Sequence, residues 1–134
     1  MYLIDTNVLS EIIKRNPNPK FMARLRSTPA DTLFSASICI MELRYGVLKR
    51  GFSQDLWTRI ERQILPRIGI LPFAYKEAMK AGELIHHLHS LGQPIGIEDI
   101  MIASIALCNA LTVVSANIKH FSRVPDLKIE NWFQ

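Results

Sequence analysis

Three carboxylates and one amide stand where an α/β fold would gather polar groups at one edge of a sheet. Asp5 directly follows a short apolar run with the composition of a buried parallel strand. Glu42 interrupts an otherwise apolar stretch, and Asp99 begins a markedly apolar helix. Asn117 follows a β-branched run that predicts another strand. Open α/β sheets bind ligands beyond the carboxyl ends of their strands, so we expect these four side chains to meet there.

Such a set of oxygen donors predicts a site for a hard cation. Converging carboxylates repel one another, and a carboxylate buried among apolar side chains is unstable unless it is paired or metal-bound. A divalent cation removes both conflicts. Carboxylate, amide and water oxygens suit Mg²⁺ or Mn²⁺ better than zinc. A site of this kind supports phosphoryl chemistry, because the ion activates water and neutralises charge on phosphate.

Each of the four residues also has a purely structural interpretation. Asp5 could equally be the N-cap of the first helix, and Asp99 could cap its own helix. Glu42 could pair with Arg44, and Asn117 could simply be a turn residue. Their joint placement, rather than any one of them, favours a functional site.

The elements that would position these residues alternate along the chain. Apolar runs predict strands at 2–4, 32–35, 68–71, 111–115 and 127–129. Helical spacing predicts helices at 8–13, 21–25, 38–49, 75–91 and from 98, with one more from Ser53 that Pro66 closes. We expect Ser37 to be the N-cap of the third helix. This alternation predicts an α/β fold, a parallel sheet with helices on both faces.

The long helix over 75–91 is amphipathic, and we expect its apolar side to face the core. The positions that define that side are Ala78, Ala81, Leu84, Ile85 and Leu88.

Length and composition indicate one globular domain, which we place at 1–134. The net charge of +4 is mild evidence for a polyanionic partner. The sequence has no apolar run near the roughly 20 residues of a membrane span and no leader before the first strand, so we expect a cytoplasmic protein. Cys39 and Cys108 lie in apolar helical runs and are expected to be free thiols.

The order of these motifs resembles the PIN-domain ribonucleases, and among them the VapC toxins of bacterial toxin–antitoxin pairs. The resemblance spans the chain and rests on five segments: LIDTN at 3–7, the stretch 37–46 that ends in MELRYG, IEDIMIAS at 97–104, VVSANIKHF at 113–121, and the closing 124–132.

The resemblance implies a three-layer α/β/α fold around a parallel sheet of five strands. It implies that Asp5, Glu42 and Asp99 bind Mg²⁺ or Mn²⁺, with Asn117 at the fourth position of the site. The implied reaction is endonucleolytic cleavage of RNA by a metal-activated water. A homodimer and a small antitoxin that blocks the acidic site are also implied.

Four further residues are candidates for substrate contact. Thr6 and Ser115 match family positions that support the first acid and the substrate phosphate. Arg44 and Lys119 are cations that could contact the RNA backbone.

Two positions depart from the family pattern. Asn117 stands where many members carry Asp, which puts a second metal ion in question. His120 also replaces a frequent Asp, which makes the rim of the site less acidic.

Other interpretations of the sequence are weaker. The histidines at 86, 87 and 89 lack a zinc-like partner and are expected to be exposed. The loop 92–96 lacks the Gly-Lys-Ser/Thr ending of a phosphate loop. The remaining alternative function is a non-catalytic module that binds nucleic acid or a protein partner and has an inert acidic pocket.

Overall fold

The computed structural model describes residues 1–51 and 53–134, which form a five-stranded, fully parallel sheet. The strand order is β3-β2-β1-β4-β5. Leu3 of β1 lies between Phe34 of β2 and Val113 of β4, which fixes the register at the centre. The strands are β1 (Tyr2–Ile4), β2 (Leu33–Ala36), β3 (Gly69–Leu71), β4 (Thr112–Val114) and β5 (Ile129–Glu130).

Helices cover both faces of this sheet and give the three layers that were predicted. They are α1 (Thr6–Ile12), α2 (Pro19–Ser27), α3 (Ser37–Lys49), α4 (Gln54–Arg59), α5 (Tyr75–Ser90), α6 (Ile97–Cys108) and α7 (Ile118–Phe121). The chain steps outward from β1 to β3 and then returns past β1 to β4. Because parallel crossovers are right-handed, this reversal moves the later helices to the opposite face. Accordingly α1 packs against α3, and α6 packs against both α5 and α7.

The core is thickest around the two central strands and α6. Leu3, Ile4, Val113 and Val114 are fully buried, as a parallel strand covered on both faces requires. Helix α6 buries Ile100, Ile102, Ala103, Ile105 and Ala106, in agreement with its apolar circumference. A second, smaller cluster joins α3 to the segment after α4 through Leu43, Val47 and Ile60.

Three local predictions are wrong. Ala36, not Ser37, is the N-cap of α3, because β2 runs directly into the helix. Pro66 does not end a regular helix: α4 ends at Arg59 and continues as a π-helical segment (Ile60–Ile64), and Pro66 lies in the 3-10 turn that follows. On α5, Ala78 is exposed and Glu77 is buried instead.

The buried face of α5 explains the last difference. The buried residues of this helix lie at positions 77, 81, 84 and 88, a regular stripe of helical spacing. Ala78 stands one residue out of phase with it.

The predicted fifth strand at 127–129 shares only Ile129 with β5. Predictions of burial and thiol state agree with the fold. Cys39 is buried, Cys108 is half-buried, and both are free thiols. His86, His87 and His89 are exposed. No helix among the described residues is long and apolar enough to cross a bilayer. The single domain over 1–134 stays a prediction.

Candidate active site

The topological switch point of the sheet lies between β1 and β4. From β1 the chain proceeds in one direction to β2 and β3, and in the other to β4 and β5. Doubly wound sheets bind ligands in the crevice at this point, beyond the carboxyl ends of the strands. Asp5 follows β1 and Ser115 follows β4, and the backbone N–H of Asp5 donates to the carbonyl of Val114 at 3.2 Å. The fold therefore brings the first predicted acid to the expected crevice.

Asp5 is the centre of this crevice, and its side chain has two roles. One oxygen, Oδ1, accepts a hydrogen bond from the backbone N–H of Val8 at 3.0 Å and so caps α1. The other, Oδ2, accepts a hydrogen bond from the hydroxyl of Ser115. The side chain is 4% exposed. The cap interpretation is thus correct, and the site interpretation stays a prediction that the position of Asp5 supports.

Burial raises the pKa of Asp5 from its ordinary 3.8 to about 6. The hydrogen bonds from Ser115 and Val8 lower this pKa, since they stabilise the ionised form. The negative charges of Asp99 and Glu42 raise it further. The three predicted acids therefore interact electrostatically, although they are far apart in sequence.

Glu42 is held toward the same crevice by the first turn of α1. The hydroxyl of Thr6 donates to Glu42 Oε1 at 2.7 Å, which joins α1 to α3. Glu42 is half-buried. Two residues later on α3, the guanidinium of Arg44 lies over the ring of Trp57, 4.6 Å from its centroid.

Asp99 and Asn117 approach each other through His120. The Nδ1 atom of His120 lies 3.0 Å from Asn117 Nδ2 and 3.4 Å from Asp99 Oδ2. The backbone N–H of Asn117 donates to the hydroxyl of Ser115 at 2.8 Å. Ser115 thus links Asn117 to Asp5, so that a chain of contacts runs from Asp5 to Asp99.

The four substrate-contact candidates differ in their surroundings. Ser115 bonds to Asp5, the first acid, whereas Thr6 bonds to Glu42 instead of Asp5. Their contact with a substrate phosphate stays a prediction. Lys119 is exposed on α7, one residue before His120. A phosphate contact by Arg44 or Lys119 stays a prediction.

The donor chemistry of the site fits a hard divalent cation. Asp5, Glu42 and Asp99 offer carboxylate oxygens, and like charges raise the pKa of the most buried of them. A dication would relieve this repulsion. As the side chains are placed, residues 1–51 and 53–134 contain no group of three or more His, Cys, Asp or Glu residues that could hold a metal ion. Each Asp5 oxygen accepts one hydrogen bond and keeps a second lone pair that could bind an ion.

Sequence reasoning missed a groove beside this site, between α1 and α3. Ser10, Glu42, Gly46 and Arg50 line it. The signal that could have revealed it is the glycine inside a predicted helix, which weakens the helix and therefore requires a reason.

The fold and the site together define a class: a doubly wound α/β domain with carboxylates at its switch point, on a protein of net positive charge. A family model described as "PIN domain" matches residues 2–127. The chain belongs to the PIN-domain family, as its motifs predicted.

Known proteins resemble the chain over nearly its whole length. Ribonuclease VapC2 of Rickettsia felis is 33% identical over 132 residues, which cover 98% of each protein. The crystal structure of FitAcB from Neisseria gonorrhoeae superposes with a TM-score of 0.91 at 29% identity, covering 100% of this chain and 99% of that one. The structure of VapBC2 from Rickettsia felis, bound to a DNA fragment from its promoter, gives a TM-score of 0.87 at 34% identity with 98% of both chains covered.

Proposed function

We propose that this chain is a divalent-metal-dependent endoribonuclease and the toxin of a toxin–antitoxin pair. The observation that carries the proposal is the position of Asp5 at the switch point of a PIN fold, where a chain of contacts links it to Asp99 and its neighbour Thr6 bonds to Glu42. The similarity to a protein named as a ribonuclease supports the substrate class.

In this proposal Asp5, Asp99 and Glu42 hold Mg²⁺ or Mn²⁺, and Asn117 completes the pocket. When bound, such an ion neutralises charge on the scissile phosphate and makes water a better nucleophile. Ser115 orients Asp5 through its hydroxyl, and Thr6 orients Glu42 in the same way.

The charged side chains of Glu42, Lys119 and Arg44 supply the remaining functions of the proposed site. Glu42 either ligates the ion or positions the attacking water by accepting its hydrogen bond. Lys119 and Arg44 contact the RNA backbone, where a cation gains from the charge of the phosphates.

The partners follow from the same proposal. Two-component assemblies named VapBC2 and FitAcB contain chains similar to this one. We infer a cognate antitoxin that covers the acidic crevice, a homodimeric nuclease, and work in the cytoplasm, where both RNA and antitoxin are present. Transfer, ribosomal and messenger RNA are all candidate substrates.

The test is cleavage of RNA by the purified chain. With Mg²⁺ or Mn²⁺ the wild type should cut single-stranded or structured RNA, and EDTA or Asp5→Asn should abolish cutting while circular dichroism shows an intact fold. Sequencing the 5′ ends of the products would then identify the substrate. Metal-independent RNA binding without cutting by any preparation would favour the inert binding module instead.

A further inference from the structure

The groove beside Glu42 contains a glycine that packing does not require. Gly46 lies in the last turn of α3, where its carbonyl accepts the backbone N–H of the C-cap residue Arg50 at 3.3 Å, and glycine within a helix weakens helical structure relative to alanine. A Cβ atom built on Gly46 would meet no atom within 4 Å. Gly69 differs, because its Cβ would lie 2.7 Å from the Phe34 ring. Nothing within the described chain therefore accounts for the missing side chain at position 46, and its effect is to keep the groove open.

The groove has the size and lining of a site for a flat ring. Its volume is about 170 Å³, and it includes Ser10 and Ile13 from the first helical segment and Leu56 from α4. The volume is large enough for a six-membered aromatic ring, since an enclosed apolar cavity of roughly 150 Å³ holds benzene. The floor at Gly46 is bare backbone, so a planar group can approach it closely.

The two ends of the groove carry opposite charge. Glu42, which also belongs to the acidic crevice, lies at the inner end, and Arg50 lies two helical turns away, about 12 Å along α3. Arg59 adds a second cation beside the groove, because its guanidinium donates to the carbonyl of Ile13, a lining residue, at 3.2 Å. A strand that enters from the crevice would therefore pass apolar walls and then meet guanidinium groups.

We propose that this groove between α1 and α3 binds the RNA segment next to the cleaved phosphate, with one base over Gly46 and its backbone at Arg50. The inference rests on the proposed ribonuclease function and adds a substrate subsite to it. RNA is favoured over a peptide because the outer cations complement phosphate and the groove is continuous, through Glu42, with the crevice that would hold the cut bond. A subsite of this kind strengthens substrate binding rather than the chemical step.

The experiment introduces a side chain at Gly46, which narrows the groove and leaves its existing side chains in place. Gly46→Ala and Gly46→Leu are compared with Gly82→Ala and Gly82→Leu as controls. Gly82 lies inside the long helix α5, and a Cβ atom built on it would also meet no atom within 4 Å. It is far along the chain from this groove. Both alanine variants should melt at higher temperature than the wild type. Gly46→Leu should raise KM for a fluorescein-labelled single-stranded RNA of random sequence about tenfold, with kcat little changed. Both Gly82 variants should cut like the wild type.

A second variant, Arg50→Gln, tests the same groove even if Gly46→Leu fails to fold. Arg50 is exposed, so Arg50→Gln should retain the fold, weaken RNA binding in EDTA and reduce its dependence on salt concentration. The inference is overturned if Gly46→Leu and Arg50→Gln both keep the wild-type KM while the wild type cuts RNA and Asp5→Asn does not. It is also overturned if Gly46→Leu cuts normally but escapes inhibition by the antitoxin, since the occupant is then a protein. A wild type that cuts no RNA would instead refute the proposed function itself.

Discussion

Asp5 both stabilises and destabilises the folded protein. Its Oδ1 atom stabilises α1 as an N-cap, a contribution of about 1 kcal/mol in helices generally. Its burial beside two other acids raises its pKa to about 6, so the ionised form is disfavoured in the folded protein. A carboxylate with a perturbed pKa in a crevice is typical of functional sites.

Metal-free protein should therefore lose stability as Asp5 ionises. The folded pKa of about 6 lies above the ordinary 3.8, so the contribution of Asp5 is fully present below 3.8 and is lost as the pH rises through 6. Asp5→Asn should remove this loss and, near neutral pH in EDTA, stabilise the protein by up to about 3 kcal/mol. Urea unfolding at several pH values measures the difference between wild type and variant.

The comparison of wild type with Asp5→Asn separates the effect of Asp5 from that of groups whose contribution to stability changes with pH in the opposite direction. The pKa of Glu11 is lowered, mainly by its hydrogen bond with Lys14, so Glu11 stabilises the fold at higher pH and loses this effect on acidification. Both proteins contain Glu11, and its contribution cancels. A wild type as stable as Asp5→Asn at neutral pH without metal would contradict the prediction.

Substitution of Glu42 should reduce RNA cleavage while leaving the free energy of unfolding nearly unchanged. In Glu42→Gln the amide oxygen can still accept the hydrogen bond from Thr6, so we expect the free energy of unfolding to change by less than about 1 kcal/mol. Loss of the negative charge should nevertheless abolish most RNA cleavage. Thermal melting and cleavage assays on the same preparation test this, and Glu61→Gln, an exposed residue after α4, is the matched control. A large fall in melting temperature with cleavage retained would indicate a structural role only.

At the scale of elements, the sequence predicted what is local and could not predict what depends on pairing. The apolar runs and breakers located the strands and most helices, because period and turn chemistry are properties of short segments. Strand order could not be read, and it is the order β2-β1-β4 that makes Asp5 and Ser115 neighbours. The hydrogen bond from Thr6 to Glu42 was equally out of reach, since it depends on how α1 packs on α3.

The glycine in β3 illustrates a pairing that the sequence concealed. The sequence predicts only a strand over 68–71, but Gly69 is the register partner of Phe34 on β2, and the aromatic ring occupies the space of the missing side chain. Gly69→Ala would place Cβ 2.7 Å from Phe34 Cδ1, so the ring would have to move. We expect a loss of about 1–3 kcal/mol in urea unfolding.

A double-mutant cycle tests the cause. In a Phe34→Ala background the clash is absent, and Gly69→Ala should then be nearly neutral or stabilising. The same loss in both backgrounds would show that the backbone of β3, rather than the ring, requires glycine.

At the scale of the whole molecule, the net charge and the charge of the crevice have opposite signs, a conflict that a bound dication would resolve. The chain carries a net charge of +4, yet its switch-point crevice contains Asp5, Glu42 and Asp99. The positive surface attracts a polyanion, whereas the empty crevice repels the phosphate that must enter it. RNA bound without metal should therefore be held by the outer cations and kept from the site.

Neutralising one acid of the crevice should then strengthen metal-free binding. A unit charge about 4 Å away contributes about 1 kcal/mol in water, or roughly fivefold in Kd, so Asp99→Asn should bind RNA severalfold more tightly than the wild type in EDTA. Asp31→Asn changes the net charge equally but lies at the opposite end of β2, beyond the screening length of about 10 Å at 0.1 M salt, and should have little effect. Fluorescence anisotropy with labelled single-stranded RNA measures both. An equal gain from both substitutions would mean that RNA responds to total charge alone, and that the acids at the switch point do not face the bound strand.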